Sequence, residues 1–490
     1  MNARKLKALQ KGLDNATDYS AWREQALEFD RVSGLEAWKE EQECDLYDHG
    51  LIRMRLEELR DMRNKKEDVE LLYTLNEGIH GNLGGIGRAS LHTYATFGTK
   101  KLIQEYIDEL VSALDHIAAV KNRVIGFDRK IDFFRRASHC FGRSALMLSG
   151  GANFGMFHVG VAKALYEEDL LPTVISGASA GSVVAAVLGT HSNKELESYF
   201  KLETIKQEAM KFMGWKRLFK GEALLDGEHL ESTLANILPD LTFEEAFAKS
   251  RRAINITISP SRLNHESRML NAISSPTVFI RKGVLASTAV PGLFPPVTLA
   301  AKTFSGEVRP FNPSRQWVDG SLSDDLPGKR LSRLYGVNHF IASQVNPHVL
   351  PFVSEKGQAK DFRQLYLGIT SQTTKHIFSN VLKHTTDSMS SPALGYFLTQ
   401  VHALVAQDYS AHINISPDFK SLNPWKIFSN PETSDIIKLV KAGEQATWPK
   451  MEWIRNCTKI SRTLDNIIEK LEAEEMRVIK KELRKELKST

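Results

Sequence analysis

The hydrophobic positions of this chain follow two regimes. Up to about residue 140 they recur at helical spacing among charges: Ile52, Leu56, Leu59 and Met62 lie within 51–63, and 68–77 and 100–119 repeat the pattern. Such spacing predicts helices that each bury one stripe. Ser20 stands where it can cap a helix running through Trp22, Leu27 and Phe29. Residues 130–138 read as a linking helix. Beyond them, short apolar or β-branched runs at 144–148, 173–175, 253–258, 277–280, 315–318 and 339–343 alternate with helical stretches such as 156–168. That alternation predicts an α/β fold with a mostly parallel central sheet covered by helices on both faces. From 361 the pattern is again helical, with one strand candidate at 411–415. From 459 a tail helix carries Ile460, Leu464, Ile467, Ile468, Leu471, Ile479, Leu483 and Leu487 on one side. The expected organisation is a helical extension over 1–140, an α/β domain over 141–350, a mainly helical part over 351–458 and a charged amphipathic tail helix over 459–490.

The composition narrows the class. Among 490 residues, 42% are hydrophobic and 25% charged, the balance of a globular protein. A net charge of +5 allows attraction to anionic lipid, but no compact basic block interleaved with aromatics dominates the chain, so no nucleic-acid partner is expected. Cys44, Cys140 and Cys457 lie far apart without a CxxC, which argues against a disulfide framework or a structural metal site and fits a reducing, cytoplasmic compartment. The basic stretch 1–7 is not followed by an apolar segment, so no signal peptide is expected. No run of about eighteen uncharged apolar residues occurs, and 284–301 is broken by Pro291, Gly292, Pro295 and Pro296. In the tail, Lys480, Lys481, Arg484, Lys485 and Lys488 face away from the apolar side. That helix can dock on the body, self-associate or lie on an anionic membrane, and docking or self-association is the plainer reading.

Candidate chemistry centres on Gly177-Ala178-Ser179-Ala180-Gly181, a G-x-S-x-G between an apolar run and the buried helical run 182–188. Strand, sharp turn and helix are the setting of a nucleophile elbow, in which small neighbours such as Gly177 and Gly181 are required on either side of the serine. Close helix–strand packing is the alternative. Earlier, Gly150-Gly151-Ala152-Asn153-Phe154-Gly155 follows the first strand candidate. Its small residues and the helix after it suit an oxyanion hole formed by the amides of Gly150, Gly151 and Ala152. A dinucleotide reading fails because Ala152 stands at the second glycine of G-x-G-x-x-G. The glycine-rich 81–87 lacks a G-K-[ST] ending and a preceding strand, so it reads as a connecting loop. No cofactor is implied.

A serine nucleophile needs a base. His158 reads as a packing residue of its helix, while His339 and His348 flank a strand end. The run Trp317-Val318-Asp319-Gly320-Ser321 ends an apolar strand in Asp-Gly. Asp319 can take a serine proton directly if its carboxylate is within reach, yet Asp-Gly is also an ordinary turn. The residues alone leave this open.

Taken together, Ser149-Gly150-Gly151-Ala152-x-x-Gly155, Gly177-x-Ser179-x-Gly181 and Asp319-Gly320 appear in the order seen in patatin-like phospholipases. The runs 289–296 (Ala-Val-Pro-Gly-Leu-Phe-Pro-Pro) and 343–348 (Ser-Gln-Val-Asn-Pro-His) also resemble that family. Leu83-Gly84-Gly85-Ile86-Gly87 and Ala446-Thr447-Trp448-Pro449-Lys450 are similar to elements of its branch of fungal and plant triacylglycerol lipases. The likeness runs over roughly 15–455. It implies a three-layer α/β/α catalytic domain and a histidine-free dyad, with Ser179 the nucleophile, Asp319 the base and Gly150, Gly151 and Ala152 the oxyanion hole. Three departures stand out: Ala152 replaces a common third glycine, Phe154 a common basic residue, and Ser321 a common small residue after Asp-Gly. Losing the cation at 154 favours neutral glycerides over anionic head groups. None of the histidines fits the H-x4-D acyltransferase motif of some yeast members.

The function expected is therefore a serine acyl hydrolase acting on glycerolipid at a membrane or lipid-droplet surface, peripherally attached. Phospholipase A or lysophospholipase activity is the near alternative, and a catalytically silent lipid-binding scaffold the distant one. Residues 211–220, with Phe212, Trp215 and Phe219 among lysines and arginine, read either as an interfacial anchor or lid or as an internal helix.

Overall fold

The stripe of Ile52, Leu56 and Leu59 is buried on a helix spanning His49–Lys65. The computed structural model in which it is seen describes residues 2–79, 81–201, 227–262, 266–291, 294–346, 411–418 and 433–489. Two units divide the chain. The first comprises Met1–Ser144, Tyr335–His339 and Trp448–Thr490, the second Ala145–Leu334 and Phe340–Thr447.

In the first unit, helix His49–Lys65 packs against Lys101–Ala119, burying Leu71, Ile103, Leu110 and Phe134 in a common core. Ile460, Leu464, Ile467 and Leu471 of the long helix Met451–Ser489 enter the same core. The apolar side of the tail is thus docked within its own unit as far as Leu471. The helix expected to start at Ser20 begins at Tyr19, and its cap is Asp18, whose carboxylate accepts from the Ala21 amide at 2.9 Å. A carboxylate there also favours the positive helix end, so Ser20 falls inside the first turn. The glycine-rich loop holds a short turn at Leu83–Gly85, and the Gly84 carbonyl accepts from the Asp48 amide at 2.8 Å. It connects helices.

The second unit carries the greater part of the sheet: β1 (Arg143–Leu148), β2 (Val174–Gly177), β3 (Ala253–Pro260), β4 (Arg268–Leu270), β7 (Trp317–Asp319), β8 (Val337–Ser343) and β9 (Ile413–Ile415). A separate hairpin is formed by β5 (Leu299–Lys302) and β6 (Val308–Phe311). The order is β4-β3-β2-β1-β8-β9, with β7 also paired to β3. The pairs β1–β2, β2–β3 and β8–β9 are parallel, and β4 and β7 run antiparallel to β3. Nearly every position of β1 and β3 is buried, as expected of strands covered on both faces. The run 277–280 is not a strand. Val278 and Phe279 make only isolated bridges, and Ile280 opens helix Ile280–Thr288.

Helix Met156–Glu167 lies against helix Thr433–Thr447 at two glycines. A methyl on Gly160 would collide with the Val440 carbonyl, and one on Gly443 with the Phe157 carbonyl. Among the described residues no helix is long and apolar enough to cross a membrane.

Candidate active site

Strand β2 ends at Gly177, and helix Ala180–Thr190 starts three residues later. Between them Ser179 adopts φ 49°, ψ −123°, a left-handed conformation that a side-chain-bearing residue holds only when its surroundings impose it. The surroundings are tight. A methyl on Gly177 would strike the Gly181 carbonyl, and one on Gly181 the Leu148 carbonyl. Close packing and the elbow are therefore one feature. The Ser179 amide donates to the Ser287 hydroxyl at 3.0 Å, which itself donates to the Thr257 carbonyl at 2.7 Å. This pins the turn to β3 and to helix Ile280–Thr288.

Asp319 closes β7, opposite Ile258 in register, with its amide donated to the Ala289 carbonyl at 2.9 Å. Its side chain is buried, and the nearby Ser179 side chain helps to hold its pKa down. Two hydrogen bonds reach its Oδ1, from the Ser321 amide at 2.9 Å and the Ser321 hydroxyl at 2.8 Å. Burial raises its pKa to about 6 against the pull of these donors. Gly320 is sterically required, since a methyl there would meet the Thr257 carbonyl. The Asp-Gly is a fixed joint of the sheet rather than a free surface turn.

The glycine-rich turn lies against Ser179 and Ser321. A methyl on Gly150 would lie 2.9 Å from the Ser321 Cβ and 3.4 Å from the Ser179 Cβ. Of the three residues expected to supply oxyanion donors, Gly150 has its amide directed elsewhere, to Asp325 Oδ1 at 2.7 Å. That expectation is corrected for Gly150, and the amides of Gly151 and Ala152 are left as the candidate donors. A methyl on Gly151 would come within 2.5 Å of Val345 Cγ2. Ala152 sits at φ 46°, a left-handed position that explains why glycine would be at ease here. Phe154 is buried, so position 154 offers no exposed charge to a substrate.

His158 is fully buried. Its Nε2 donates to the Ser149 carbonyl at 2.9 Å, so Nδ1 accepts from the Ser343 hydroxyl at 2.7 Å. Burial holds its pKa near 4. It supports the glycine-rich turn from behind and stays neutral. His339 pairs with the Ser144 hydroxyl at 3.0 Å within the first unit. His348, Trp215, Phe219, Gly292 and Leu293 lie outside the described residues.

Three participants escaped the sequence reading: Ser287 behind the elbow, the Ser321 hydroxyl on Asp319, and Asp325. An apolar pocket is lined by Gly155, Met156, Val159, Ala180 (the residue after Ser179), Val184 and Tyr199, among others.

Comparison with known proteins identifies the family. A family described as patatin-like phospholipase matches residues 146–329, and one described as a domain of unknown function (DUF3336) matches 1–139. The chain is 33% identical to triacylglycerol lipase 4 of Saccharomyces cerevisiae, over 93% of this chain and 52% of that protein. It is 34% identical to triacylglycerol lipase SDP1L of Arabidopsis thaliana, over 87% of this chain and 54% of the other. The chain thus spans about half the length of these two relatives. Against triacylglycerol lipase ptl3 of Schizosaccharomyces pombe it is 31% identical, over 91% of this chain and 93% of that one. With the elbow, the Asp-Gly joint and the glycine-rich turn assembled in one place, the chain belongs to the patatin-like phospholipase family.

Proposed function

We propose that this protein is a serine acyl hydrolase that releases fatty acids from neutral glycerolipids, triacylglycerol and diacylglycerol foremost. The observation that carries this reading is the strained elbow at Ser179 beside a buried Asp319 whose carboxyl is near enough for the Ser179 side chain to lower its pKa. The Ser179 oxygen attacks the ester carbonyl carbon as its proton passes to Asp319. The carbonyl π pair moves onto oxygen, where the amides of Gly151 and Ala152 receive it. Collapse expels the glycerol oxygen, which takes the proton back from Asp319 and leaves an acyl-serine. Water, deprotonated by Asp319, then attacks the acyl carbon, and Ser179 leaves reprotonated with release of the fatty acid. An aspartate with a pKa of about 6 is a stronger base than an ordinary one and is still ionised at neutral pH.

Substrate class rests on two supports. The pocket lined by Ala180 is apolar and suits an acyl chain, and the buried Phe154 leaves no cation for an anionic head group. The three relatives named above carry the name triacylglycerol lipase, which points the same way. Because such substrates are insoluble, the protein works peripherally at a membrane or lipid-droplet surface facing the cytoplasm. The β5–β6 hairpin supports this attachment: Phe304 at its tip is wholly exposed, and Val308 beside it is 64% exposed.

The test is fatty-acid release from triolein, diolein and phosphatidylcholine emulsions by wild type, Ser179→Ala and Asp319→Asn. Both variants should lose at least about a thousandfold, and triolein or diolein should exceed phosphatidylcholine. Full activity of Asp319→Asn would dismiss the dyad. Equal or faster release from phosphatidylcholine would make the enzyme a phospholipase, and no release by wild type would favour a silent lipid-binding protein.

A further inference from the structure

The turn that lies against Ser179 is tethered at two successive residues. At Ser149 the amide donates to the Ser343 carbonyl at 3.1 Å, the hydroxyl accepts from the Val345 amide at 3.0 Å, and the carbonyl accepts from His158. At Gly150 the tether is the carboxyl of Asp325, which receives the amide at 2.7 Å. Asp325 is completely buried, with the Asn346 side chain close by. A buried carboxyl is costly to keep, so its retention here asks for a reason. The reason lies in where it acts. Gly150 is wedged between Ser179 and Ser321, and the next two residues carry the candidate oxyanion amides, one of them in a left-handed conformation. Within the turn the Gly150 carbonyl accepts from the Ser149 hydroxyl at 2.8 Å and the Gly151 carbonyl from the Phe154 amide at 3.0 Å, while the Gly150 amide is held from outside it by Asp325.

We propose that Asp325 is a positioning residue for acyl transfer: by holding the Gly150 amide it sets the direction of the Gly151 and Ala152 N–H groups toward the oxygen that becomes negative on the substrate. The same short stretch that carries Asp319 beside Ser179 carries Asp325 to the Gly150 amide. Dyad and oxyanion turn are therefore fixed relative to each other by one segment, 319–325. The effect belongs to the transition state, because the ester carbonyl before attack makes weaker demands on those donors.

This inference rests on the acyl-hydrolase reading, and the experiment separates the two. Wild type, Asp325→Asn, Asp325→Leu and Asp325→Ala are compared for kcat and KM on a soluble p-nitrophenyl ester, for the rate of Ser179 labelling by a fluorophosphonate, and for thermal unfolding. Asn keeps a carbonyl oxygen to accept the Gly150 amide, whereas Leu keeps only the shape. Asp325→Leu and Asp325→Ala should lose about a hundredfold in kcat, the cost of a misdirected oxyanion donor, with KM within about threefold and labelling slowed in proportion. Asp325→Asn should recover kcat to within about threefold of wild type. Folded Leu or Ala variants with wild-type kcat would overturn the proposal, as would a folded Asn variant more than about tenfold impaired. Should neither apolar variant fold, the Asn variant alone decides by the same threshold. Failure of the fluorophosphonate to label wild-type Ser179 would instead sink the acyl-hydrolase reading, and this inference with it.

Discussion

The hydroxyl of Ser321 donates to Asp319 Oδ1 at 2.8 Å, from two residues along the same turn. As a small residue after Asp-Gly it passes for filler, yet it touches the buried carboxylate beside Ser179. Its donor stabilises the ionised form and so opposes the upward pull of burial. Without it, Asp319 titrates above its present value of about 6. Activity that needs ionised Asp319 rises with pH through that pKa. Ser321→Ala should therefore move the acid limb of kcat/KM to higher pH. At pH 5.5 the loss should be roughly two- to tenfold, a hydrogen bond's worth, fading above pH 8. A limb that stays put on a soluble ester would show that Ser321 only fills space.

Asp319 also bears on stability, with the opposite sign to an ordinary paired carboxylate. Its folded pKa of about 6 exceeds the reference of 3.8, so the folded state binds the proton more tightly than the unfolded one. Stability then falls as pH rises through this window, by up to ~3 kcal/mol once both states are ionised. Asp319→Asn removes the buried charge. Thermal unfolding at pH 8 should show the variant above wild type, the gap narrowing toward pH 4, while ester hydrolysis is lost. A variant less stable than wild type at pH 8 would contradict this account.

Ala152 at φ 46° carries strain that glycine would not. The left-handed conformation costs an L-residue about 1–2 kcal/mol, and glycine gives back about 0.5–1 kcal/mol through the freedom of its unfolded chain. Ala152→Gly should therefore be neutral to about 1 kcal/mol more stable, with the amide left in place and hydrolysis retained. Melting temperature reads the outcome. A clear fall would mean that the methyl packs usefully and that the strain is offset there.

How much of this was legible depends on the range of the forces involved. The elbow could be read because its steric demand acts over five adjacent residues and leaves small side chains at fixed places, Gly177 and Gly181 among them. Asp319 was half legible, since Asp-Gly spells both a turn and a catalytic joint until the Thr257 carbonyl is seen pressing on Gly320. Asp325 was out of reach, because its partner Gly150 stands 175 positions away and neither residue advertises the contact. The glycines Gly160 and Gly443 were equally silent: a small residue within a helix tells of close approach but not of what approaches. Phe279 failed for another reason. It is extended and bridged, as a β-rich run should be, but the very next residue turns helical.

At the lipid surface the test falls on Phe304. An aromatic ring left wholly in water at a hairpin tip gains by entering the interfacial region. Phe304→Ser should weaken binding to oleate-rich droplets or liposomes by several-fold, on the order of 1–2 kcal/mol for one ring. Hydrolysis of a soluble short-chain ester should be unchanged, since the hairpin lies outside the dyad and its supports. Undiminished flotation with droplets would remove the hairpin from the attachment surface.

Chain-length selection should reside in the pocket lined by Ala180. Val184 stands one helical turn beyond Ala180 and so on the same face, where both line the pocket with Met156 and Val159. Val184→Phe would fill the room that the distal methylenes of a long acyl chain occupy. Two or three displaced methylenes, at about 0.8 kcal/mol each, amount to roughly a ten- to fiftyfold loss in kcat/KM. Oleoyl esters should show that loss while butyryl esters, too short to reach the blocked end, keep wild-type rates. Equal losses on both would mean that the bulky ring has disturbed the helix leading from Ser179. An unaltered oleoyl rate would mean that the acyl chain leaves the site by another path.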